Sequence, residues 1–296
     1  MPLPSPAEWR AAGRTFRFRG HDVFMRVGGR GPAVLLIHGF PTAGWDWCKL
    51  WPGLARRFTL VAPDLLGFGF SAKPARHDYR ISEQADLCLA ALAEAGIAAA
   101  HLLSHDYGDT VAQELLAREI EGRCPVALRS TVLLNGGLFP ETHRPLLSQR
   151  LLRSPLGPLV AKLMTRDRLA TAMRRIGGRR TPPDEADIDA FWTLLATGDG
   201  ARAMPRLIRY IDERRAHRGR WVGALQRTAV ALTVVNGVDD PISGGHMVAR
   251  FRQLVPAGAV VELPGVGHYP QIEAPDAVLA AVLTAFDADR VAPPVV

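Results

Sequence analysis

Ser104-His105-Asp106-Tyr107-Gly108 stands between two stretches of different character. Before it, His101-Leu102-Leu103-Ser104 is a short apolar run of the kind that forms a strand covered on both faces. After it, residues 107–121 carry Val111, Leu115 and Leu116 on one stripe at helical spacing. A strand that turns sharply into a helix is the setting of the pattern G-x-S-x-G. There the central side chain stands out of the sheet's carboxyl edge, and the N–H groups of the helix N-terminus favour negative charge. The central residue here is aspartate. Asp is also a favoured helix N-cap, so the pentapeptide alone leaves both readings open.

Working outward, residues 14–18 and 22–27 read as a strand pair turned at Gly20-His21. Further buried strands are expected at 33–37, 59–62, 131–134, 231–235 and 260–263, with helices at 82–94, 244–254 and 275–288. Alternation of strand and helix implies an α/β fold with a mainly parallel, doubly wound sheet. From Pro140 to Ala224 only helical patterns appear, broken by Gly-Pro, Gly-Gly and Pro-Pro. The expected organisation is a core in two parts, 1–139 and 225–296, with an inserted all-helical cap at 140–224.

Length and composition agree with this. The 296 residues are 48% apolar and 22% charged, which excludes disorder, and a chain of this size needs no disulfide or metal staple. Cys48, Cys88 and Cys124 are widely spaced, match no metal-binding pattern and are expected as reduced core thiols of a cytoplasmic protein. The proline-rich start, Met1-Pro2-Leu3-Pro4-Ser5-Pro6, is unlike a signal peptide. No run has the length of a membrane helix. The net charge of +7 is concentrated in residues 140–224, where 16 Arg and 1 Lys face 9 acids. A solvated arginine-rich surface is the expected meaning, with no nucleic-acid and no membrane partner.

Three other segments end at the same edge of the sheet. His38-Gly39-Phe40-Pro41 follows strand 33–37 and can present the Phe40 N–H there. Asn236-Gly237-Val238-Asp239-Asp240-Pro241 follows strand 231–235 and supplies a carboxylate, from Asp239 or Asp240. Gly265-Val266-Gly267-His268-Tyr269-Pro270 follows strand 260–263 and supplies an imidazole. The chain order is Asp106, second acid, His.

These segments resemble the α/β-hydrolase superfamily, in the branch of epoxide hydrolases and haloalkane dehalogenases. Asp64-Leu65-Leu66-Gly67-Phe68-Gly69-Phe70-Ser71 is similar to the D-x-x-G-x-G-x-S loop of that branch, and His38-Gly39-Phe40-Pro41 to the H-G-x-P of its epoxide hydrolases. Residues 102–109, 139–147 and 220–225 resemble the mesoderm-specific transcript group of vertebrates within the superfamily. The resemblance implies an α/β-hydrolase fold with a helical cap. It also implies a cofactor-free, metal-free reaction with Asp106 as nucleophile, His268 as base and Asp240 as its acid partner.

An aspartate nucleophile restricts the chemistry. A carboxylate attacking a carbonyl gives an anhydride, whereas at a saturated carbon with a leaving group it gives an alkyl ester that activated water can cleave. The backbone N–H groups of Phe40 and Tyr107 are expected to receive the oxyanion of that second step. Dehalogenases usually hold the halide with a Trp after the nucleophile and an Asn or second Trp, and here those positions are Tyr107 and Phe40. An apolar epoxide is therefore the expected small-molecule substrate; the alternatives are a dehalogenase-type hydrolase and a non-catalytic interaction protein on the same fold. Epoxide hydrolases protonate the opening oxygen with cap phenols; Tyr210 is the cap tyrosine here, with His143 or water as a further donor. His38, Gly39 and Pro41 are expected to brace the oxyanion loop. His105, His143, Phe139 and Trp45 are candidates for the pocket wall, core packing being the alternative for Trp45. The sequence does not indicate an oligomeric state.

Overall fold

All five side chains of Ala33–Ile37 are buried, which requires cover on both faces of the strand. The computed structural model, which describes residues 3–291, provides it. Strands β1 (Arg14–Phe18), β2 (His21–Gly29), β3 (Ala33–Ile37), β4 (Thr59–Pro63), β5 (Ala99–His105), β6 (Ala127–Leu134), β7 (Ala231–Gly237) and β8 (Ala259–Leu263) form one sheet. Its order is β1-β2-β4-β3-β5-β6-β7-β8; β1–β2 and β2–β4 are antiparallel and the remaining pairs parallel. Met1 and Pro2 of the proline-rich start, and the last five residues of the expected second core part, lie outside the described residues.

The helices follow the sequence pattern with modest differences. Tyr107–Ile120 and Ile81–Glu94 form as expected, and Pro275–Val291 runs past 288. The sequence pattern places Trp45, Trp47 and Trp51 on one helix after residue 41, but they do not share one. A 3-10 turn, Gly44–Trp47, precedes a separate short helix, Trp51–Ala55, and all three indoles are buried. Between β6 and β7 every regular element among the described residues is helical, from Leu147–Arg153 to Arg218–Arg227. The last of these helices crosses the expected boundary at 224 and ends just before β7 begins. No described helix is long and apolar enough to cross a membrane.

Candidate functional site

Asp106 occupies the turn between β5 and the Tyr107–Ile120 helix, with φ 45° and ψ −101°. A positive φ is uncommon for a residue with a side chain and stores strain that the surroundings must hold in place. They do so closely. The Asp106 N–H donates to Leu134 O at 3.1 Å. A Cβ on Gly108 would lie 2.3 Å from Ile37 O, and one on Gly39 would lie 2.4 Å from His105 Nδ1 and 3.2 Å from Asp106 Cβ. The glycines therefore let the 38–41 loop and the helix close around the turn at Asp106. Asp106 holds the N-cap position of the helix that follows it, but its carboxylate makes no capping bond there.

Instead the carboxylate points into the structure. The Phe40 N–H donates to Asp106 Oδ2 at 3.2 Å, and the Tyr210 hydroxyl donates to Oδ1, also at 3.2 Å. Tyr107 opens the helix, so its N–H is one of the first-turn donors that lack an intrahelical acceptor. His268 Nε2 stands 4.0 Å from Asp106 Oδ2, and His268 Nδ1 donates to Asp240 Oδ2 at 2.8 Å. Between the two adjacent acids the geometry selects Asp240, which is buried, while exposed Asp239 accepts from Gly265 N–H at 3.3 Å. Asp240 Oδ2 also accepts from Asn135 Nδ2 at 3.0 Å and Ser243 Oγ at 2.8 Å, and Oδ1 accepts from the Ile242 N–H at 2.7 Å.

The electrostatics follow from this packing. Burial works against a charged His268, but the charge and hydrogen bond of Asp240, with Asp106 behind them, outweigh it and raise the imidazole to about 9. Burial likewise opposes ionised Asp106, yet His268, Arg214, His105 and the Phe40 N–H hold it below the usual carboxylate range. Burial, then the Asp106 charge, pushes the Tyr210 phenol upward, so it stays protonated. Burial pushes His38 down to about 4; it donates from Nδ1 to Gly39 O and accepts the Leu65 N–H at Nε2, and so braces the loop as a neutral ring. The Phe40–Pro41 peptide is cis. In the 64–71 loop Asp64 accepts from the Gly44 and Phe70 N–H groups, and a Cβ on Gly69 would meet Asp64 Oδ2 at 2.2 Å.

A cavity of about 400 Å³ opens over Asp106 and His268. Its wall is apolar and comes largely from the cap, including Leu152, Val160, Leu169, Met173, Ile176 and Met204. Four expected wall residues lie elsewhere. His105 is buried behind the elbow with Nε2 on His268 O at 2.8 Å, and Phe139 packs toward Phe251 in the core. Trp45 is buried, its indole N–H on Pro4 O and its ring edge-on to Phe191. His143 lies outside the cavity wall, and burial holds it near 4, too low to be a charged acid.

Three further residues position the site; of these the sequence singles out only Asn135, as a residue that cannot be the anionic partner of His268. Arg214, one helical turn after Tyr210, is buried; its Nη2 donates to Asp106 O at 2.8 Å and its Nε to Thr110 Oγ1 at 2.6 Å. The guanidinium also covers the Tyr210 ring at 4.4 Å, fixing the phenol over Asp106. Asn135 orients Asp240. Glu273 joins the cap to the core: it accepts from Gly178 N–H and Thr181 Oγ1 on the cap side, and from the Gly267 and Tyr269 N–H groups flanking His268. The i, i+4 spacing of Tyr210 and Arg214 was the available signal for the first of these. Among the described residues no cluster of His, Cys, Asp or Glu could hold a metal ion.

Comparison with known proteins agrees with this fold. A sequence model described as "Alpha/beta hydrolase family" matches residues 34–281. The chain is 42% identical to "Putative hydrolase LipZ" of Mycobacterium tuberculosis over 287 residues, covering 96% of this chain and 99% of that protein. It is 39% identical to the "Mesoderm-specific transcript protein" of Mus musculus over 296 residues, covering 95% and 88%. Among solved structures, the haloalkane dehalogenase DbeA of Bradyrhizobium elkani superposes with a TM-score of 0.79 at 24% identity, covering 95% of this chain and 99% of that one.

Proposed function

Since this chain belongs to the alpha/beta hydrolase family, we propose that it is the kind of hydrolase that opens apolar epoxides to vicinal diols through an ester on Asp106. The observation that carries the reading is the Tyr210 hydroxyl, donating to the same carboxylate that faces the Phe40 amide and His268. A phenol hydrogen-bonded to the carboxylate that lines the apolar cavity can protonate an oxygen as that carboxylate attacks the adjoining carbon.

The steps balance on this chain's own groups. Ionised Asp106 attacks an epoxide carbon, the C–O bond breaks, and Tyr210 gives its proton to the departing oxygen. Ester formation removes the negative charge beside His268. The imidazolium then returns a proton to the Tyr210 phenolate and becomes a neutral base. His268 next takes a proton from water, whose oxygen attacks the Asp106 carboxyl carbon. The resulting oxyanion meets the Phe40 and Tyr107 N–H groups, each typically worth ~3 kcal/mol. Collapse releases the diol, with the carboxyl proton passing to its oxygen, and leaves Asp106 ionised. Asp240, held by Asn135, Ser243 and the Ile242 N–H, fixes the ring and supports its cationic form throughout.

The test is chemical. His268→Gln permits attack but removes the base, so incubation with an epoxide should leave one adduct of the full epoxide mass on the Asp106 peptide. A haloalkane would leave an adduct lacking the halogen, and so identify dehalogenation instead. No adduct on Asp106 with a substrate the parent enzyme turns over would refute the ester mechanism.

A further inference from the structure

Five of the seven large apolar residues that stand exposed among the described residues fall between positions 147 and 163. They are Leu147, Leu151, Leu156, Leu159 and Leu163, at 66, 39, 57, 55 and 49% exposure. Soluble proteins seldom concentrate apolar surface in this way without a partner for it. Leu147 and Leu151 are one turn apart on the Leu147–Arg153 helix; Leu159 and Leu163 are one turn apart on and just beyond Gly157–Lys162. Leu151 and Leu163 also line the cavity above Asp106, so two of the exposed leucines belong to its wall.

The charge carried by this stretch itself has one sign. From Arg144 to Thr165 the chain carries three Arg and one Lys and no acid. Arg144, Arg150 and Lys162 are exposed and form no ion pair within the described residues. Reading the cap as a plain solvated surface accounts for its arginines but not for leucines placed among them. Apolar side chains set within unpaired cations fit the boundary between anionic headgroups and acyl chains. No described helix is long and apolar enough to cross a membrane.

We infer that the cap docks on anionic lipid surfaces through these leucines, with Arg144, Arg150 and Lys162 against the headgroups and the cavity mouth facing the acyl layer. The inference goes beyond the hydrolase reading and is tested without any substrate, so the two can fail separately. The full chain is sedimented with vesicles of phosphatidylcholine alone and of phosphatidylcholine with phosphatidylglycerol. Binding should appear on the anionic vesicles and weaken as salt rises. Leu147→Ser/Leu156→Ser/Leu159→Ser, which alters no cavity-lining residue, should lower affinity by at least roughly tenfold with an unchanged melting temperature. Arg150→Gln/Lys162→Gln, which leaves every leucine in place, should lower it on the order of fivefold per cation. Absence of binding to anionic vesicles, or full binding by both variants, would overturn the inference. So would self-association without lipid that the leucine variant abolishes, since the patch would then belong to a second copy of the chain.

Discussion

Replacing Asp106 with Asn keeps the shape of the elbow and removes one charge 4.0 Å from His268 Nε2. At that distance and an effective dielectric of about 20, the lost attraction is about 4 kcal/mol. That corresponds to roughly 3 pH units on the imidazole. Asp240 acts more strongly on the ring and remains in place, so His268 should fall from about 9 to roughly 6 or 7 and not further. Histidine ring resonances followed by NMR against pH in the parent and in Asp106→Asn measure this directly, with His268→Gln identifying the signal. His38 and His105, which burial pushes down to about 4 and about 3, stay out of the window. In the proposed mechanism ester formation would neutralise Asp106 as the Asn variant does, so the same shift would make His268 a base only once there is an ester to hydrolyse. An imidazole that titrates at the same pH in both proteins would refute that ordering of steps.

Tyr210→Phe should slow ester formation by roughly 10²–10⁴ in single-turnover measurements with an epoxide, the range for a positioned general acid; an unchanged rate would remove the phenol from the mechanism. Because the folded-state value of His268 lies above its ordinary one, its stabilisation is complete below about pH 6.5 and lost as pH rises through about 9. Urea unfolding across that window should show a decline of about 3 kcal/mol, flattened in Asp240→Asn. Gly108→Ala would set a Cβ against the backbone oxygen of Ile37, which cannot swing aside; a loss of roughly 1–3 kcal/mol by urea unfolding is expected.

Burial explains which parts of this arrangement could be read in advance. Ala33–Ile37 is apolar at every position because it is covered on both faces, and the turn residues after β3, β5, β7 and β8 are visible as breaks in such runs. Strand ends were less legible. β6 begins at Ala127, four residues before its apolar run, because residues 127–129 are partly or fully exposed and carry no buried pattern. Choosing between Asp239 and Asp240 from spacing alone was impossible, since they differ only in which one turns inward at Pro241. The cavity wall was mostly missed because it is made by one face of several cap helices, and the direction of each face is set by how the helices pack. Arg214 is one of 16 arginines in residues 140–224 and differs from the others by being buried under Tyr210.

Glu273 makes the cap and the histidine loop move as linked parts. One carboxylate is bonded to Gly178 and Thr181 on the cap side and to Gly267 and Tyr269 on either side of His268, while the His268 N–H donates to Ile176 O at 2.9 Å. A molecule that wedges the cap outward therefore pulls on the hinge that carries the base. Oversized guests could still be attacked by Asp106, which is anchored to β6 through Leu134 and not to this linkage. They would then wait as esters, because the imidazole that should bring water to them has been drawn away. Such guests would inhibit slowly by tethering, and the enzyme would measure length by what it can release.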